Sequence, residues 1–381
     1  MHILYVAPRY HTNQIPIMEG WLAHGDEVLF LVQYAGQSED YRVIQPVVLG
    51  YGPLYRAFEK IYLRLRRKQE NALDLRLKYG SPAMRKLRHL MREFKPDVVI
   101  TRERSFYSMA VTFLCRLFGY PVILYNQTPL WEKERKDDPA HRIVRRLTPK
   151  YRITPVLTLG KGTEGKSREA YAYYLPFLME PHLAPQARSY FDQGRINLFA
   201  IGKYQKRKNH RMLVEVVEEL RKYWPVHLKI AGEVSNSFHE AYYQELAAYI
   251  QEHRLQDVVE LKVNLKRDDI FDIYKKTDLF VLASTGEPAA VSHLEAMSFS
   301  VPVISGEDNG TACYVEDGVN GYIFRDNDKE DLQKKMEEVI SDRERLKAMG
   351  AESYRLVLER HQFDGYYEKI MEILARMEQE K

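Results

Sequence analysis

Two carboxylates, Glu287 and Glu295, are separated by seven residues in the stretch STGEPAAVSHLEAMSFSVPVISGEDNG, Ser284 to Gly310. An ionised carboxylate offers two acceptor oxygens and can hold a pair of vicinal hydroxyls, as on a ribose. Two carboxylates can also flank a glycosidic bond and hydrolyse it. A helix-terminal acid followed by a solvated one gives the same spacing. The setting of Glu295 favours a ligand. Its neighbours are Leu294, Ala296 and Met297, and a carboxylate among apolar groups is costly unless it is paired or binds something.

A second constellation is Gly202-Lys-Tyr-Gln-Lys-Arg-Lys-Asn209. Lys203, Lys206, Arg207 and Lys208 ahead of a helix suit a diphosphate, although a solvated basic turn reads the same way. The turn Asp308-Asn-Gly-Thr311 could bring backbone N–H groups, including that of Gly310, to a phosphate. Asp326-Asn-Asp328 precedes a helix and is better read as an N-cap than as a metal site. His11 and the Asn126-Gln127-Thr128 loop follow strands and are expected on the ligand side of the first half.

The elements that must position these residues alternate along the chain. Strands are expected over 2–7, 27–32, 43–49, 97–101, 122–125 and 155–159, with helices over 15–24 and 105–118 between them. Residues 54–92 hold an amphipathic pattern with twelve Lys or Arg against three acids, a face suited either to solvent or to an anionic membrane. Prolines at 176, 181 and 185 break the periodicity, and residues 178–194 read as a linker. A second series follows: strands at 197–202, 227–232, 258–263, 278–283 and 301–305. Helices lie between them, the first capped by Asn209, and three more run from 329 to 380. Alternation of this kind builds parallel sheets. The fold class is therefore α/β, with two Rossmann-like doubly wound domains facing a central cleft.

With 381 residues there is material for two cores. Two cysteines exclude a disulfide framework. The N-terminus reads as a strand rather than a leader, and no stretch is long and apolar enough to span a bilayer. A net charge of +4 gives no ground for a nucleic-acid partner.

The ordered set Gly202-Lys203…Lys208-Asn209, Lys229-Ile-Ala-Gly232, Ser284-x-x-Glu287, Glu287-x7-Glu295, Pro302-Val-Ile304 and Asp317-Gly-Val-Asn-Gly-Tyr-Ile-Phe324 resembles the retaining family 4 glycosyltransferases of GT-B fold (glycosyl transferases group 1). In the first half Gly25-Asp-Glu-Val28, Lys95-Pro-Asp-Val98 and Gly119-Tyr-Pro-Val122 also fit. The resemblance implies an acceptor-binding domain over 1–180, a nucleotide-sugar domain over 195–360, and a helix over 361–381 returning to the first domain. It implies that Glu295 holds the ribose, that Lys203 and Lys208 stabilise the diphosphate with help from Arg207, and that Glu287 meets the donor sugar. Backbone near Val263 and Asn264 would read the base, and N–H groups at Ala290, Val291 and Ser292 would meet the phosphates. His11, Asn126 and Gln127 would lie on the acceptor side. The family usually has Arg where Lys203 stands, paired glycines in the first loop where this chain has His11-Thr-Asn-Gln14, and often Gly where Ser300 stands.

The expected function is a retaining, metal-independent, hexosyltransferase-type enzyme without cofactor. It would be cytoplasmic and peripheral on the membrane through residues 54–92. It would move sugar from a UDP- or GDP-linked donor to a saccharide or lipid-linked acceptor in surface polysaccharide biosynthesis. A nucleotide-sugar epimerase or hydrolase of the same fold, and a non-catalytic scaffold subunit, are the rival readings.

Overall fold

The structure is a computed structural model that describes residues 1–35, 40–65, 75–76, 79–102, 105–131, 138–157 and 169–380. The polypeptide forms two units. The described residues of the first lie within Met1–Pro155, Lys166–Leu178 and Phe363–Lys381, and those of the second within Val156–Gly165 and Met179–Gln362.

In the first unit, β1 (His2–Ala7), β2 (Glu27–Val32), β3 (Val47–Val48), β4 (Val98–Arg102), β5 (Val122–Tyr125), β6 (Tyr151–Thr154) and β7 (Ala172–Tyr174) form one sheet in the order β3-β2-β1-β4-β5-β6-β7. Every neighbouring pair is parallel. Strands covered on both faces read as continuous apolar runs, and Ile3 to Ala7 are all buried. The strand order reverses between β1 and β4. Helices Ile15–Ala23 and Phe363–Gln379 pack on one face, and Pro53–Leu65, Met84–Phe94 and Phe106–Phe118 on the other. Ser105 starts the last of these through a reciprocal capping box with Ser108.

The second unit repeats the plan. β8 (Ile196–Ile201), β9 (Val226–Gly232), β10 (Val259–Val263), β11 (Leu279–Leu282), β12 (Val303–Gly306) and β13 (Gly321–Phe324) are all parallel, in the order β10-β9-β8-β11-β12-β13. Here the order reverses between β8 and β11. In such sheets, ligands bind beyond the strand C-termini at the reversal. The loops that leave β8 and β11 there are 202–209 and 283–291.

Several expectations are corrected. The strand expected over 43–49 shrinks to Val47–Val48, because Pro46 interrupts the run and lacks the N–H a ladder needs. The strand expected over 155–159 lies earlier, at Tyr151–Thr154; residues 158 and 159 are outside the described set. The basic stretch 54–92 resolves into helices Pro53–Leu65 and Met84–Phe94, with 66–74 and 77–78 outside the described residues, as are 132–137 of the charged segment that follows Leu130. Residues 178–194 are no loose linker. From Met179 on they are fastened inside the second unit: the Met179 N–H donates to the His361 carbonyl at 2.9 Å, and those of His182 and Leu183 donate to the Ser298 carbonyl at 2.8 and 3.0 Å. Buried Arg188 donates to the carbonyl of Phe299 at 2.7 Å.

The helix Phe363–Gln379 is anchored in the first unit by Trp21, which is fully buried. Its indole N–H donates to the Tyr5 hydroxyl at 3.0 Å. Its ring meets Phe363, Tyr366 and Tyr367 edge-on at centroid distances of 5.1, 6.1 and 5.6 Å. Trp21→Ala is expected to lower unfolding free energy by about 3–5 kcal/mol, read by urea unfolding followed by circular dichroism. A loss under about 1 kcal/mol would mean that the cluster collapses around the gap.

Candidate functional site

The 202–209 and 283–291 loops meet in a charged knot. Oε2 of Glu287 accepts from the Arg207 guanidinium at 2.7 Å and from the Lys208 ammonium. Side-chain exposure is 10% for Glu287 and 12% for Lys208 but 42% for Arg207, so Arg207 is the outer cation and Lys208 the inner one. Burial pushes the Glu287 carboxyl up, but Lys208 and Arg207 outweigh it and hold the group below the usual carboxylate range. For Lys208, burial outweighs the attraction of Glu287 and lowers its value. Gly202 makes the approach possible. A Cβ there would lie 2.9 Å from the Lys208 side chain.

Local geometry delivers these side chains. After β8 the chain makes a short 3-10 turn, Lys206–Lys208, and then Asn209 at φ 55° and ψ 30°. Asn209 was expected to cap the helix His210–Leu220. Its side chain makes no capping bond and donates instead to the Asn327 Oδ1 at 3.1 Å. The left-handed backbone explains the change, since an N-cap normally sits in extended geometry. Asp328 does cap its helix, accepting from the Asp331 N–H at 2.9 Å.

Glu295 lies in the first turn of Ser292–Ser298. Its carboxylate accepts from the Tyr274 hydroxyl at 3.2 Å. Burial raises its value, against the smaller effects of Arg267 and Tyr274. The two acids thus differ in kind: Glu287 holds two cations on one oxygen, whereas Glu295 is half-buried with a hydroxyl as its one hydrogen-bond donor among the described residues.

Lys203 does not join the knot. It pairs with Glu233 at 3.2 Å, with half of its side chain exposed. Val263 ends β10 with 37% exposure. Asn264, at φ 53°, brackets the Val234 backbone, accepting from its N–H at 2.9 Å and donating to its carbonyl at 3.2 Å. Ala290 and Val291 precede the Ser292–Ser298 helix, and Val291 gives it no side-chain cap. The Ala290 N–H points to the Asn309 Oδ1 at 3.5 Å.

The 308–311 turn differs from expectation. Its N–H groups were expected to face a phosphate, but that of Gly310 donates to the Glu287 carbonyl at 2.9 Å. A Cβ on Gly310 would sit 2.0 Å from the Pro288 oxygen. Fully buried Asn309 accepts from the N–H and hydroxyl of Thr311 at 3.2 and 3.0 Å and donates to the Ser305 hydroxyl at 3.0 Å. This turn holds the Glu287 loop in place. Sequence reasoning named Asn309 only as part of the turn, without its clamping role, and missed Tyr274 and buried His293, whose Nε2 lies 3.0 Å from the Thr311 carbonyl. Polar residue types inside apolar segments were the available signal.

In the first unit, His11 follows β1, and Asn126 and Gln127 follow β5. Burial, then Arg102 and Arg9, lowers His11 to about 3, so it is neutral at pH 7. A slot at the β1/β4 reversal is lined by Tyr5, Asn13, Gln14, Arg102, Tyr125 and Tyr366; Asn13 and Arg102 were not anticipated. Asn126 is buried and its Oδ1 accepts from Arg152 at 3.2 Å. Arg152 is itself buried and paired with Glu169 at 2.7 Å. The Asn126 side chain therefore braces the loop rather than facing a ligand. Among the described residues, no group of three or more His, Cys, Asp or Glu could hold a metal ion.

Residues 186–356 match the family model for glycosyl transferases group 1. Mannosylfructose-phosphate synthase of Agrobacterium fabrum is 27% identical over 143 residues, 37% of this chain and 31% of that protein. Spore coat protein SA of Bacillus subtilis is 32% identical over 93 residues, 24% of this chain and 25% of that protein. The chain thus aligns with only a quarter to a third of these relatives' lengths. Among solved structures, Anabaena Alr3699/HepE in complex with UDP superposes with TM-score 0.72 at 14% identity, covering 99% of this chain and 100% of that one. The same protein with UDP-glucose gives 0.69 at 15%, covering 99% and 100%. These likenesses establish a shared two-domain GT-B fold.

The ionisable groups set a pH response. Glu287, with its lowered value, contributes stability above the unfolded carboxylate range that is lost as pH falls through its folded value. His210 and His293, lowered by burial to about 4, act in the same sense: the unfolded chain takes up protons near pH 6.5, the folded chain only near 4. Glu295, raised by burial, opposes them. Unfolding free energy in urea is expected to fall between pH 7 and 4, and His293→Gln to flatten the slope. A free energy that rises over that range would overturn the assignment.

Proposed function

Starting from a second unit that is a glycosyl transferases group 1 domain, we propose that this protein is a retaining glycosyltransferase. It transfers a sugar from a nucleoside-diphosphate sugar to a saccharide or lipid-linked acceptor in surface glycan synthesis. The observation that carries this reading is the convergence of Lys208, Arg207 and Glu287 at the β8/β11 reversal, with Glu295 in the first turn of the short helix that follows the Glu287 loop. Binding of UDP and UDP-glucose by the Anabaena protein of the same fold supports a nucleotide-sugar donor.

In this reading Glu295 accepts from the ribose hydroxyls, exchanging a single tyrosine hydroxyl for two further donors. Val263 and Asn264 end β10 beside the base. Lys208 and Arg207 face the diphosphate, joined by Lys203 once it leaves Glu233. The bond from the anomeric carbon to the phosphate oxygen breaks, and the acceptor oxygen bonds to that carbon on the same face. The acceptor's proton passes to the departing phosphate. Cations held in place before reaction stabilise the negative charge that develops there. Glu287, kept ionised by two cations, orients donor-sugar hydroxyls and the lysine rather than taking a proton.

The test is thermal unfolding with UDP, GDP, ADP and their glucose conjugates. One base series should raise the midpoint, equivalent to about 2.7 kcal/mol at a hundredfold excess over Kd. Stabilisation by none would overturn the reading. Glu295→Gln should weaken the stabilising nucleotide by about 1.5–3 kcal/mol, the range for hydrogen bonds to a charged group. In the wild type that affinity should fall with pH as Glu295, with its raised value, takes up a proton. Lys208→Ala should lower kcat by about 10²–10³, read as sugar released or transferred. Release of sugar at full rate without acceptor would favour the hydrolase.

A further inference from the structure

The first unit concentrates its exposed apolar side chains outward from one sheet face. On that face Tyr55, Leu87, Tyr107, Val111 and Leu114 form the buried layer. Two of the helices that supply this layer, Pro53–Leu65 and Phe106–Phe118, also carry apolar side chains on their outward sides. Leu54, Phe58 and Ile61 project from Pro53–Leu65 at helical spacing, with exposures of 88%, 46% and 59%. Phe113 and Leu117, one turn apart on Phe106–Phe118, are 62% and 63% exposed. The helix Pro139–Leu147 adds Ile143 and Leu147, 57% and 47% exposed and also one turn apart. It adjoins Phe106–Phe118 through Arg116, which donates to the Arg146 and Thr148 carbonyls at 3.0 and 3.3 Å. More than half of the exposed large apolar residues among those described lie on these three helices.

Apolar surface gathered in this way marks an interaction site, and the charges beside it identify the partner. Pro139–Leu147 has no acidic residue and carries Arg142, Arg145 and Arg146 around its apolar row. Pro53–Leu65 carries Arg56, Lys60 and Arg64 against one acid, Glu59. Apolar rows bordered by long cationic side chains match a helix lying in a lipid interface. There the apolar residues enter the acyl boundary and the cations reach headgroup phosphates. No described helix is long and apolar enough to cross a membrane, so contact through these helices would be parallel to the surface.

We propose that this face docks on an anionic lipid bilayer, with Phe113, Leu117, Ile143 and Leu147 inserted and the arginines of Pro139–Leu147 on the phosphates. It extends the membrane contact expected of residues 54–92 to two helices outside that stretch. The inference rests on this surface alone, so it stands or falls separately from sugar transfer, though it would bring the enzyme to a lipid-linked acceptor.

The experiment is co-sedimentation of the full chain with vesicles of phosphatidylcholine, with and without phosphatidylglycerol, at low and high salt. The wild type should partition onto the phosphatidylglycerol vesicles and release partly in high salt. Ile143→Glu with Leu147→Glu, and separately Phe113→Ser with Leu117→Ser, should each reduce partitioning by about tenfold or more, the loss expected on removing such apolar burial. Arg142→Ala with Arg146→Ala should weaken binding to anionic vesicles only. Circular dichroism and nucleotide-induced stabilisation would confirm that the variants are folded; all these side chains are exposed, so both readouts should match the wild type. Three outcomes would overturn the proposal: absence of wild-type binding at low salt, equal binding by the apolar variants, or a dimer in lipid-free sedimentation equilibrium that the same variants abolish. The last would make the face a contact between copies of this chain.

Discussion

A buried ion pair at the strand-order reversal governs the second unit. Lys208 and Glu287 are both nearly removed from water, and neither charge would be tolerable there alone. Their meeting explains otherwise unconnected features: a glycine at 202 that leaves room for the lysine stem, a left-handed Asn209 that turns the chain into its helix, and a Gly310 pressed against Pro288. The Asn309–Thr311–Ser305 network clamps the loop that presents Glu287. Breaking a buried pair from one side is far more costly than never having built it, so the surrounding loops are held to one arrangement.

That constraint creates the contrast between the two acids. Seven residues separate Glu287 and Glu295 in the chain, yet one is pinned by cations and the other is left with a tyrosine hydroxyl. A carboxylate held ionised by Lys208 and Arg207 on one of its oxygens is a poor proton acceptor. One that is half-buried and under-supplied with donors gains most from hydroxyls brought by a ligand.

Much of this was legible in the sequence, for identifiable reasons. Parallel strands buried on both faces read as uninterrupted apolar runs, so Glu27–Val32 and Val122–Tyr125 were found to the residue. The types and spacing of Lys208, Glu287 and Glu295 carried the site. What escaped were residues whose partners are distant in the chain. Arg152 and Arg188 are buried because backbone carbonyls and Glu169 converge on them, and nothing local announces that. Asn126 appeared to face a ligand until Arg152 claimed it. Lys203 was grouped with its neighbours in the loop, but it pairs with Glu233, which follows β9 and is distant in the chain.

Ser300 illustrates how the fold tolerates a departure from its usual residue. The position follows the Ser292–Ser298 helix and holds φ at 57°, a conformation that costs a residue with a Cβ about 1–2 kcal/mol. Here the hydroxyl donates to the Leu183 carbonyl at 2.6 Å, and the Ser300 carbonyl accepts from Tyr190 at 2.8 Å. These bonds tie the helix that carries Glu295 to the segment that enters the second unit. A glycine would remove the strain and one of the ties together. The serine therefore offsets its backbone cost by fixing the end of the helix on which Glu295 stands, the half-buried carboxylate that accepts from the Tyr274 hydroxyl.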